Sequence, residues 1–358
     1  MQKKLFLIFF IFIAGVATAQ INAITDSTGF FIERKIDSVF KANKLPGLFV
    51  AVINNGKQKY YSKGFANPET KLRFDSATFF EIGSVTKTFT AFVLQKVLDK
   101  NNIADTSSIL DYLPDSVKGN AALQKITFLG LLNHTSGLPR LPENMELADG
   151  SKSPYDNYGA DKLFAWLKMC KPEPDGKSNY SNAGMGLAGV LATLISKKSY
   201  AVLLEENSFR PFKMIGSTDV FSKEENKSQG FFSNEKTVYW NMDVLAPAGG
   251  IKSNGKEMLA FLKYMANPTD AADKMTIDNL LQPTIAISPK ISVCKAWHTV
   301  EEKDKPVIYW HNGGTFGFST FAAFIKNEQK AVMVVINKFS ENKACDGLGI
   351  SIMKLLNK

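Results

Sequence analysis

Near both ends of the chain, the pattern of apolar and polar residues predicts a sheet with helices beside it. Segment 29–44 has apolar residues at 30, 31, 36, 39 and 40, which predicts an amphipathic helix. Segment 48–66 predicts two strands that turn at Asn54-Asn55-Gly56, because Asn-Gly supplies the positive φ of a tight hairpin. Toward the C-terminus the pattern predicts strands at 307–311, 318–325 and 331–337 and a closing helix at 347–356.

The middle of the chain has the spacing of helices instead. Apolar residues recur at helical intervals, after residue types that cap helices, in the ranges 84–100, 127–134, 160–170 and 182–198. A further helix is predicted at 253–265, where Asn254 and Glu257 have the spacing of a capping pair. The pattern therefore predicts a mostly helical region inserted between two halves of a sheet.

Together these elements predict an α/β protein of the α+β type, in which one antiparallel sheet is flanked by the N- and C-terminal helices. We expect residues 20–82 and 250–358 to form the sheet domain and residues 83–249 to form the helical region, with an active site between them. The content of 45% hydrophobic and 22% charged residues is that of an ordinary globular protein.

The first 19 residues have the layout of a secretory signal peptide. Lys3 and Lys4 precede an apolar run from Leu5 to Val16, and small residues end the segment at Ala19. This run is shorter than the roughly 20 residues that a membrane-spanning helix needs. We therefore expect cleavage after Ala19, a periplasmic or secreted protein, and no stable membrane anchor.

The charge of the chain and its cysteine and histidine content limit which binding partners, disulfides and metal sites are expected. The formal net charge of +9 comes from scattered lysines, whereas nucleic-acid binding needs clustered basic and aromatic residues. No nucleic-acid partner is predicted, and an anionic substrate such as a cell-wall polymer suits the charge.

Cys170, Cys294 and Cys345 allow at most one disulfide, whose pairing the sequence leaves open. With three histidines and no C-x-x-C or H-E-x-x-H motif, neither a metal site nor a cofactor is predicted.

Candidate chemistry begins with the spacing Ser-x-x-Lys, which occurs seven times and so identifies nothing by itself. The pair Ser84 and Lys87 is distinguished because it follows Phe-Glu-Ile-Gly and opens a helix pattern. A serine at a helix start lies near free backbone N–H groups, and a residue three positions later shares its face. The alternative role of Ser84 is a helix cap. No G-x-S-x-G motif of a Ser-His-Asp hydrolase occurs.

Two further motifs contain the groups that a serine nucleophile needs. Tyr-Ser-Asn at 180–182 lies in a polar loop that leads into a Gly-rich helix, where backbone can approach a ligand closely. A buried tyrosine with a capping asparagine is the alternative there. His-Asn-Gly-Gly at 311–314 offers unshielded backbone N–H groups, as an oxyanion hole requires, although a Gly-rich hairpin turn has the same composition. The polar segment 140–159 is expected to line or cover the cleft.

These motifs resemble the serine β-lactamase and penicillin-binding superfamily, in the branch that holds class C β-lactamases, DD-peptidases, D-aminopeptidases and related esterases. The similar segments read FEIGSVTKTFTA, ITFLGLLNHTSGLP, YSNAGMGLAG, APAGGIKSN and HNGGTFGF. The resemblance covers most of the chain between residues 45 and 337. It implies a β-lactamase/transpeptidase-like fold and a mechanism through an acyl-enzyme.

The resemblance also implies catalytic roles. Ser84 would be acylated, and Lys87 and Tyr180 would handle its proton, with the choice of acylation base between them open. Asn182 would hold the substrate amide. A free serine hydroxyl is a poor nucleophile, and a desolvated lysine beside a phenol supplies the activation that it needs.

The third motif would complete the site. By the resemblance, His311 and Gly313 lie beside the substrate, and the N–H of Gly314 joins that of Ser84 around the oxyanion. Class C β-lactamases usually have Lys-Thr-Gly at this place, whereas this chain has His-Asn-Gly. Because histidine is mostly neutral near pH 7, it holds a substrate carboxylate less firmly than lysine does. This departure argues against efficient β-lactam hydrolysis.

We therefore expect a secreted serine hydrolase that cleaves D-amino-acid peptides, such as a DD-peptidase, through a Ser84 acyl-enzyme. The alternatives are a class C-like β-lactamase or a carboxylesterase, and a protein that binds penicillin or wall peptides without turnover. The expected partner is a small peptide, a β-lactam or an ester, with peptidoglycan as a candidate. The sequence does not predict the oligomeric state.

Overall fold

The computed structural model describes residues 27–146, 153–220 and 226–358. The predicted signal peptide, residues 1–19, lies outside these ranges, as do residues 147–152 of the segment predicted to border the cleft. The helices are α1 (Ser27–Ala42), α2 (Thr86–Lys100), α3 (Asp115–Lys118), α4 (Phe128–Leu132), α5 (Ala160–Leu167), α6 (Asn182–Ser196), α7 (Tyr200–Leu204), α8 (Ala246–Gly249), α9 (Gly255–Ala266), α10 (Ala271–Leu280) and α11 (Asn342–Leu356). The strands are β1 (Gly47–Asn54), β2 (Lys57–Gly64), β3 (Phe79–Glu81), β4 (Phe231–Phe232), β5 (Glu235–Lys236), β6 (Lys252–Asn254), β7 (Ile285–Ser288), β8 (Ile291–Val293), β9 (His298–Val300), β10 (Ile308–Gly314), β11 (Ser319–Ile325) and β12 (Lys330–Ile336).

An eight-stranded sheet has the order β2-β1-β12-β11-β10-β9-β8-β7, and every neighbouring pair is antiparallel. The β1–β2 hairpin turns at Asn55 and Gly56, whose φ angles of 48° and 80° confirm the predicted Asn-Gly turn. Within this sheet β1 pairs with β12, so that Leu48 lies opposite Ile336. The N- and C-terminal parts of the chain therefore meet in one sheet, as predicted.

The outer face of this sheet is covered by the two terminal helices. Side chains alternate between the two faces along a strand, so Leu48 and Val50 lie on the outer face and Phe49 between them lies on the inner face. Leu48 and Val50 share an apolar cluster with Ile32 of α1 and Ile352 of α11. The predicted arrangement, an antiparallel sheet flanked by the N- and C-terminal helices, is confirmed.

The inner face packs on α9 and on the helices from the middle of the chain. Phe49 of β1, Phe324 of β11 and Phe261 of α9 belong to one apolar cluster, which continues into α2 through Phe89. Both faces of the sheet are buried at β1, β11 and β12, and these strands are therefore almost continuously apolar in sequence. The division into residues 20–82 with 250–358 and residues 83–249 stays a prediction, since this cluster runs through both parts.

A glycine in α6 allows α8 to approach it closely. A Cβ at Gly189 would lie 2.1 Å from Cγ of Pro247, so no side chain fits there. The close approach brings the Pro247 carbonyl to 2.6 Å from Oγ1 of Thr90 and directs the next carbonyl, that of Ala248, toward the interior. The Gly-rich sequence of α6 therefore sets the position of a backbone group in the site described below.

The capping pair predicted at the start of α9 forms in one direction. Oδ1 of Asn254 accepts a hydrogen bond from the backbone N–H of Glu257 at 3.0 Å, as a helix cap does. The Glu257 carboxylate turns elsewhere and accepts from the Gly216 N–H at 3.0 Å and the Ser217 hydroxyl at 2.6 Å. It therefore anchors a distant loop instead of completing the cap.

The disulfide that the sequence allowed does not form. Cys170, Cys294 and Cys345 are all buried free thiols. They lie in separate parts of the fold, with Cys345 in the outer apolar cluster and the other two in the inner one.

In the described part of the chain, no single helix has the length and apolar character of a membrane span. One bent pair, Asn182–Ser196 with Tyr200–Phe209, meets these criteria only when the two helices are taken together.

Candidate active site

Ser84 and Lys87 meet where β3 leads into α2. A single 3-10 turn, Gly83–Val85, carries Ser84 to the start of the helix, and Gly83 adopts a φ of +51° that side chains rarely allow. Lys87 lies one turn further on, with its Nζ 3.0 Å from Oγ of Ser84. No side chain caps this 3-10 turn or α2. Ser84 is therefore the partner of a lysine and not a helix cap.

Lys87 is fully buried, and burial, together with the charge of Arg140, lowers the pKa of its amine well below the ordinary value. Its Nζ is 2.8 Å from Oδ1 of Asn182 and 2.5 Å from the carbonyl oxygen of Ala248. An uncharged amine has two N–H bonds and one lone pair, and these two oxygens can only accept. A charged ammonium would donate to all three oxygens, whereas an uncharged amine would donate to these two and direct its lone pair toward the hydroxyl of Ser84.

Tyr180 brings a phenol to the same serine. Ser84 is near enough to act on the pKa of this phenol, and Nζ of Lys87 lies 4.8 Å from the centroid of its ring. Burial raises the pKa of Tyr180 to about 12, although Ser84 and the charge of Arg140 oppose the rise. The phenol is therefore protonated at neutral pH. The structure brings together the three side chains that were predicted to be catalytic.

Two neutral histidines pack beside the Tyr180 ring. The centroid of His134 is 4.6 Å away and that of His311 is 6.4 Å away. Burial lowers the pKa of His134 to about 3 and that of His311 well below its ordinary value. Nδ1 of His134 accepts from the Ser181 N–H at 3.2 Å, so this residue, given no role from the sequence, positions the tyrosine loop. His311 is buried, and its contact with a substrate stays a prediction.

Asn182 reaches the site from the first turn of α6. Ser181 caps this helix by accepting from the Gly184 N–H at 2.8 Å. Asn182 is therefore free of the capping role that the sequence left open, and its Oδ1 contacts Lys87. Its Nδ2 lies 3.4 Å from the hydroxyl of Tyr155, a residue of the 140–159 segment predicted to border the cleft.

The glycine pair of β10 lies against the backbone that carries Ser84. Gly313 and Gly314 are the last residues of the strand and do not form a hairpin turn. A Cβ at Gly313 would lie 3.0 Å from the Ser84 nitrogen, and one at Gly83 would lie 2.7 Å from the Gly314 nitrogen. The backbone nitrogens of Ser84 and Gly314 are therefore neighbours, and their use as a two-donor oxyanion hole stays a prediction.

A buried carboxylate that the sequence pattern did not reveal lies at this junction. Glu81 is 2% exposed and accepts from Oγ1 of Thr315 at 2.7 Å and from the Trp240 N–H at 2.5 Å. Lys252 lies opposite Glu81 in the β3–β6 pair. Burial raises the pKa of Glu81, and the charge of Lys252 opposes this rise. A lone acidic residue in the apolar run 79–82 was the available signal for this network, which ties the end of β10 to β3.

Aromatic side chains form one wall of the cleft. The ring of Trp240 lies 5.0 Å from that of Tyr155 and 5.0 Å from that of Phe316, with edge-to-face geometry in both pairs. Phe316 in turn contacts Phe232, which is 43% exposed. Because Tyr155 touches Asn182 and Phe316 follows the glycine pair by two residues, this wall extends from the catalytic groups to solvent.

The polar groups of the site are a hydroxyl, an amine, a phenol and amides. Within residues 27–146, 153–220 and 226–358, no group of three or more His, Cys, Asp or Glu side chains is arranged to hold a metal ion. A surface groove of about 650 Å³ lies elsewhere, between α1 and α11, with Lys35 and Glu341 in its lining. It contains none of the residues predicted for the site.

Known proteins are similar to this chain along most of its length. The family model described as Beta-lactamase matches residues 32–352. A β-lactamase of Providencia stuartii is 26% identical over 362 residues, which cover 88% of this chain and 90% of that protein. A β-lactamase of Escherichia coli (strain K12) is 25% identical, with 92% of each protein covered.

A solved structure supports the same relationship at the level of the fold. The crystal structure of a β-lactamase/D-alanine carboxypeptidase from Pseudomonas syringae has a TM-score of 0.80 and 21% sequence identity to this chain, covering 92% of this chain and 99% of that one. The family model spans both the sheet and the helical region, including every residue of the site described above. The chain belongs to the β-lactamase family and is a serine hydrolase.

Proposed function

We propose that the protein hydrolyses D-amino-acid peptides, as a DD-peptidase does, through an acyl-enzyme on Ser84. The observation that carries this proposal is the grouping of three side chains: Oγ of Ser84 is 3.0 Å from Nζ of Lys87, and this Nζ is 4.8 Å from the centroid of the Tyr180 ring. Of Lys87 and Tyr180, one can take the proton of the serine and the other can give a proton to a leaving group, which is what two-step acyl transfer needs.

In the first step Lys87 acts as the base. Burial lowers the pKa of this amine, and in its uncharged form it directs a lone pair toward Ser84, because Asn182 and Ala248 accept its two N–H bonds. Oγ of Ser84 attacks the substrate carbonyl carbon as its proton moves to Nζ. Tyr180, with a pKa of about 12, is a weaker candidate for this step since a phenolate is scarce at neutral pH.

The negative charge that develops on the carbonyl oxygen is stabilised by the neighbouring N–H groups of Ser84 and Gly314. Loss of one such donor reduces the rate on the order of 10²- to 10³-fold in comparable sites. The tetrahedral intermediate then collapses. The bond to the leaving amine or alkoxide breaks as Tyr180 donates its phenolic proton, and the Lys87 ammonium restores the proton of the phenol.

Deacylation repeats these steps with water as the nucleophile. Water gives one proton to the uncharged Lys87 and attacks the ester carbonyl, and the same N–H pair stabilises the oxyanion. The ester bond breaks as Ser84 regains a proton, and the carboxylic acid product leaves. No step requires a group other than these side chains, two backbone amides and water.

The third motif favours a peptide over a β-lactam as the main substrate. Class C β-lactamases usually have a lysine where this chain has His311, and His-x-Gly is similar to the pattern of DD-peptidases and D-aminopeptidases. The aromatic wall of Tyr155, Trp240 and Phe316 offers apolar surface for a substrate side chain. β-Lactam hydrolysis is the second candidate, because the similar proteins from P. stuartii and E. coli are named β-lactamases. A short-chain ester is a further substrate class for the same mechanism.

Intact-mass spectrometry tests the acyl-enzyme. Incubation with benzylpenicillin or an activated aryl ester is expected to add one acyl group to the wild type and none to Ser84→Ala. If the wild type forms no adduct with either reagent, or Ser84→Ala keeps one, the mechanism is wrong. An adduct that forms on the wild type but is never released would indicate a binding protein without turnover.

Parallel rates on four substrates test the choice of substrate. A D-Ala-D-Ala peptide is expected to give a higher kcat/KM than a chromogenic cephalosporin, a D-aminoacyl anilide or a short-chain aryl ester. A cephalosporin rate above the peptide rate would make the protein a β-lactamase first.

We also propose export, on the layout of residues 1–19. Expression of the full chain followed by N-terminal sequencing of the periplasmic fraction is expected to give a mature chain that starts at Gln20. Recovery of the uncleaved chain from the cytoplasm would contradict this.

A further inference from the structure

Burial disfavours positive charge on the lysine and the two histidines of the cleft. Burial keeps the pKa of Lys87 well below its ordinary value, and the rings of His134 and His311 are neutral for the same reason. Arg140 is different, because a guanidinium stays charged at any working pH and this side chain is exposed. It is therefore a fixed cation at the mouth of the site.

The position of Arg140 is set by the same loop that holds the catalytic tyrosine. Its Cζ lies 5.2 Å from the centroid of the Tyr180 ring. Its carbonyl oxygen accepts from the N–H groups of Asn182 at 2.9 Å and Ala183 at 3.2 Å, the first residues of α6. Because Lys87 is buried and Arg140 is exposed, the guanidinium lies on the solvent side of Tyr180. A substrate that reaches Ser84 passes near it.

The guanidinium has no acidic partner in the described part of the chain. Arg210, by contrast, pairs with Glu205 at 3.2 Å on the surface. The charges that act on Lys87 and Tyr180 include Arg140 but no carboxylate. Five N–H donors in a planar fork are thus presented toward the cleft, and this geometry matches a carboxylate in a bidentate way.

We propose that Arg140 is a specificity-determining residue that binds a carboxylate of the substrate. The inference rests on the proposed function for the reaction at Ser84, and it adds the substrate class: a peptide or ester with a free carboxylate within reach of the tyrosine. Arg140 takes the place of the lysine that the third motif lacks as the source of fixed positive charge.

Matched substrate pairs test this charge preference. One pair is N-acetyl-D-Ala-D-Ala and its C-terminal amide, and the other is a 4-nitrophenyl ester of glutaric acid and that of glutaramic acid. Within at least one pair, the wild type is expected to prefer the acid about tenfold in kcat/KM, in line with a charge-assisted contact that is partly solvated. In Arg140→Met the ratio of acid to amide is expected to fall to about one, and Arg140→Lys should retain part of it.

Arg73→Met is the matched control. Arg73 is also exposed, its Cζ lies 5.3 Å from the centroid of the Phe65 ring, and its loss changes the net charge by the same amount. This variant is expected to keep both the activity and the acid preference of the wild type. An equal loss of preference in Arg73→Met and Arg140→Met would assign the effect to overall charge and overturn the proposal.

A binding measurement separates this inference from the reaction itself. In the Ser84→Ala background, calorimetry is expected to give tighter binding of N-acetyl-D-Ala-D-Ala than of its amide, and the added Arg140→Met change should remove the difference. No acid preference in either pair or in binding, or a preference that survives Arg140→Met, would overturn the role of Arg140. Absence of a Ser84 adduct in the wild type would instead contradict the proposed mechanism and leave the binding result to decide the role of Arg140.

Discussion

The two faces of the central sheet differ in what they bury. The outer cluster, where α1 and α11 cover the sheet, is formed by apolar side chains such as Leu48, Ile352 and Val334. On the inner side, ionisable groups are buried as well: Lys87 and Glu81 are 0% and 2% exposed. Apolar burial stabilises the fold, whereas removing an ionisable group from water destabilises it unless partners compensate. The comparison indicates that the outer layer supplies stability on which the chemistry of the inner side depends.

Lys87→Met is expected to cause the largest loss of activity, because it removes the proposed base while it preserves side-chain length. We expect kcat/KM for any substrate to fall by about 10³-fold or more, as for other nucleophile–base units. Stability is expected to change by less than about 2 kcal/mol, since relief from burying an amine offsets the lost bonds to Asn182 and Ala248. Steady-state rates and urea unfolding check both parts. A variant within tenfold of wild-type activity would exclude Lys87 as the base.

Glu81→Gln removes the charge of a buried carboxylate with little change in shape. The variant weakens the hydrogen bonds that Glu81 accepts from Thr315 and the Trp240 N–H, and a hydrogen bond to a charged group contributes about 1.5–3 kcal/mol. We expect a loss of this size in the free energy of unfolding, measured with urea.

The double variant Glu81→Gln with Lys252→Met is the control for this prediction, because it removes both charges. It is not expected to recover the lost stability, because the hydrogen bonds from Thr315 and Trp240 stay weakened. If the single variant unfolds at the same urea concentration as the wild type, the charge of Glu81 contributes no stability through these bonds.

Ile352→Ala tests whether the outer apolar cluster supports the stability of the fold without affecting the chemistry of the inner side. Ile352 of α11 is fully buried in the outer apolar cluster, and truncation of such a side chain costs about 2–5 kcal/mol. We expect stability to fall within this range while kcat at 25 °C stays within a factor of two of wild type. A large loss of kcat in the folded variant would show that the outer layer shapes the site and does not only support it.

The smallest expected effect is the pH dependence that the histidines produce. The folded-state pKa is about 3 for His134, about 4 for His298 and well lowered for His311, and burial is the main cause for each. Their contribution to stability is complete above the unfolded pKa of about 6.5 and is lost as pH falls, because the unfolded chain then binds the protons. Between pH 7 and 5.5 we expect a loss of about 1 kcal/mol each from His134 and His298, and a loss in the same direction from His311.

Urea unfolding at these two pH values measures this loss, and His298→Gln is expected to reduce it by about a third. Asp346 and Glu81 oppose the trend, since burial raises the pKa of Asp346 to about 6 and also raises that of Glu81, while the lowered pKa of Lys87 acts in the same direction as the histidines. Stability that increases between pH 7 and 5.5 would contradict the prediction.

The helices and strands of the outer layer could be predicted from sequence because the apolar residues of each element recur with a single period, that of a helix or that of a strand. Helix α1 was predicted at 29–44 and lies at Ser27–Ala42, and the hairpin at Asn55-Gly56 follows from local turn chemistry. Strands β3 and β6 were missed since three residues are too few to show a period. Helix α11 begins at Asn342, five residues before the predicted start, because its first turn is polar.

In the site, too, contacts between residues close in sequence could be predicted, whereas contacts between residues far apart in sequence could not. The contact of Ser84 with Lys87 follows from one helical turn, and the motif of Tyr180 was recognisable by its loop. The carbonyl of Ala248, which accepts a hydrogen bond from Lys87, belongs to the backbone, so the pattern of side chains could not predict it. The position of Arg140 depends on backbone hydrogen bonds to the start of α6, which only the folded chain brings together.

The register of the central sheet constrains when the molecule can fold. Strand β1 is made early in synthesis, yet the partner on one of its edges is β12, close to the other end of the chain. Contacts between residues so far apart in sequence slow folding, because a long loop must close before they form. A nascent chain that stops short of Lys330 exposes the N–H and C=O groups of that edge, to which a strand of another molecule can add. We therefore expect ribosome-bound chains of this protein to need protection from aggregation until their last turns are complete.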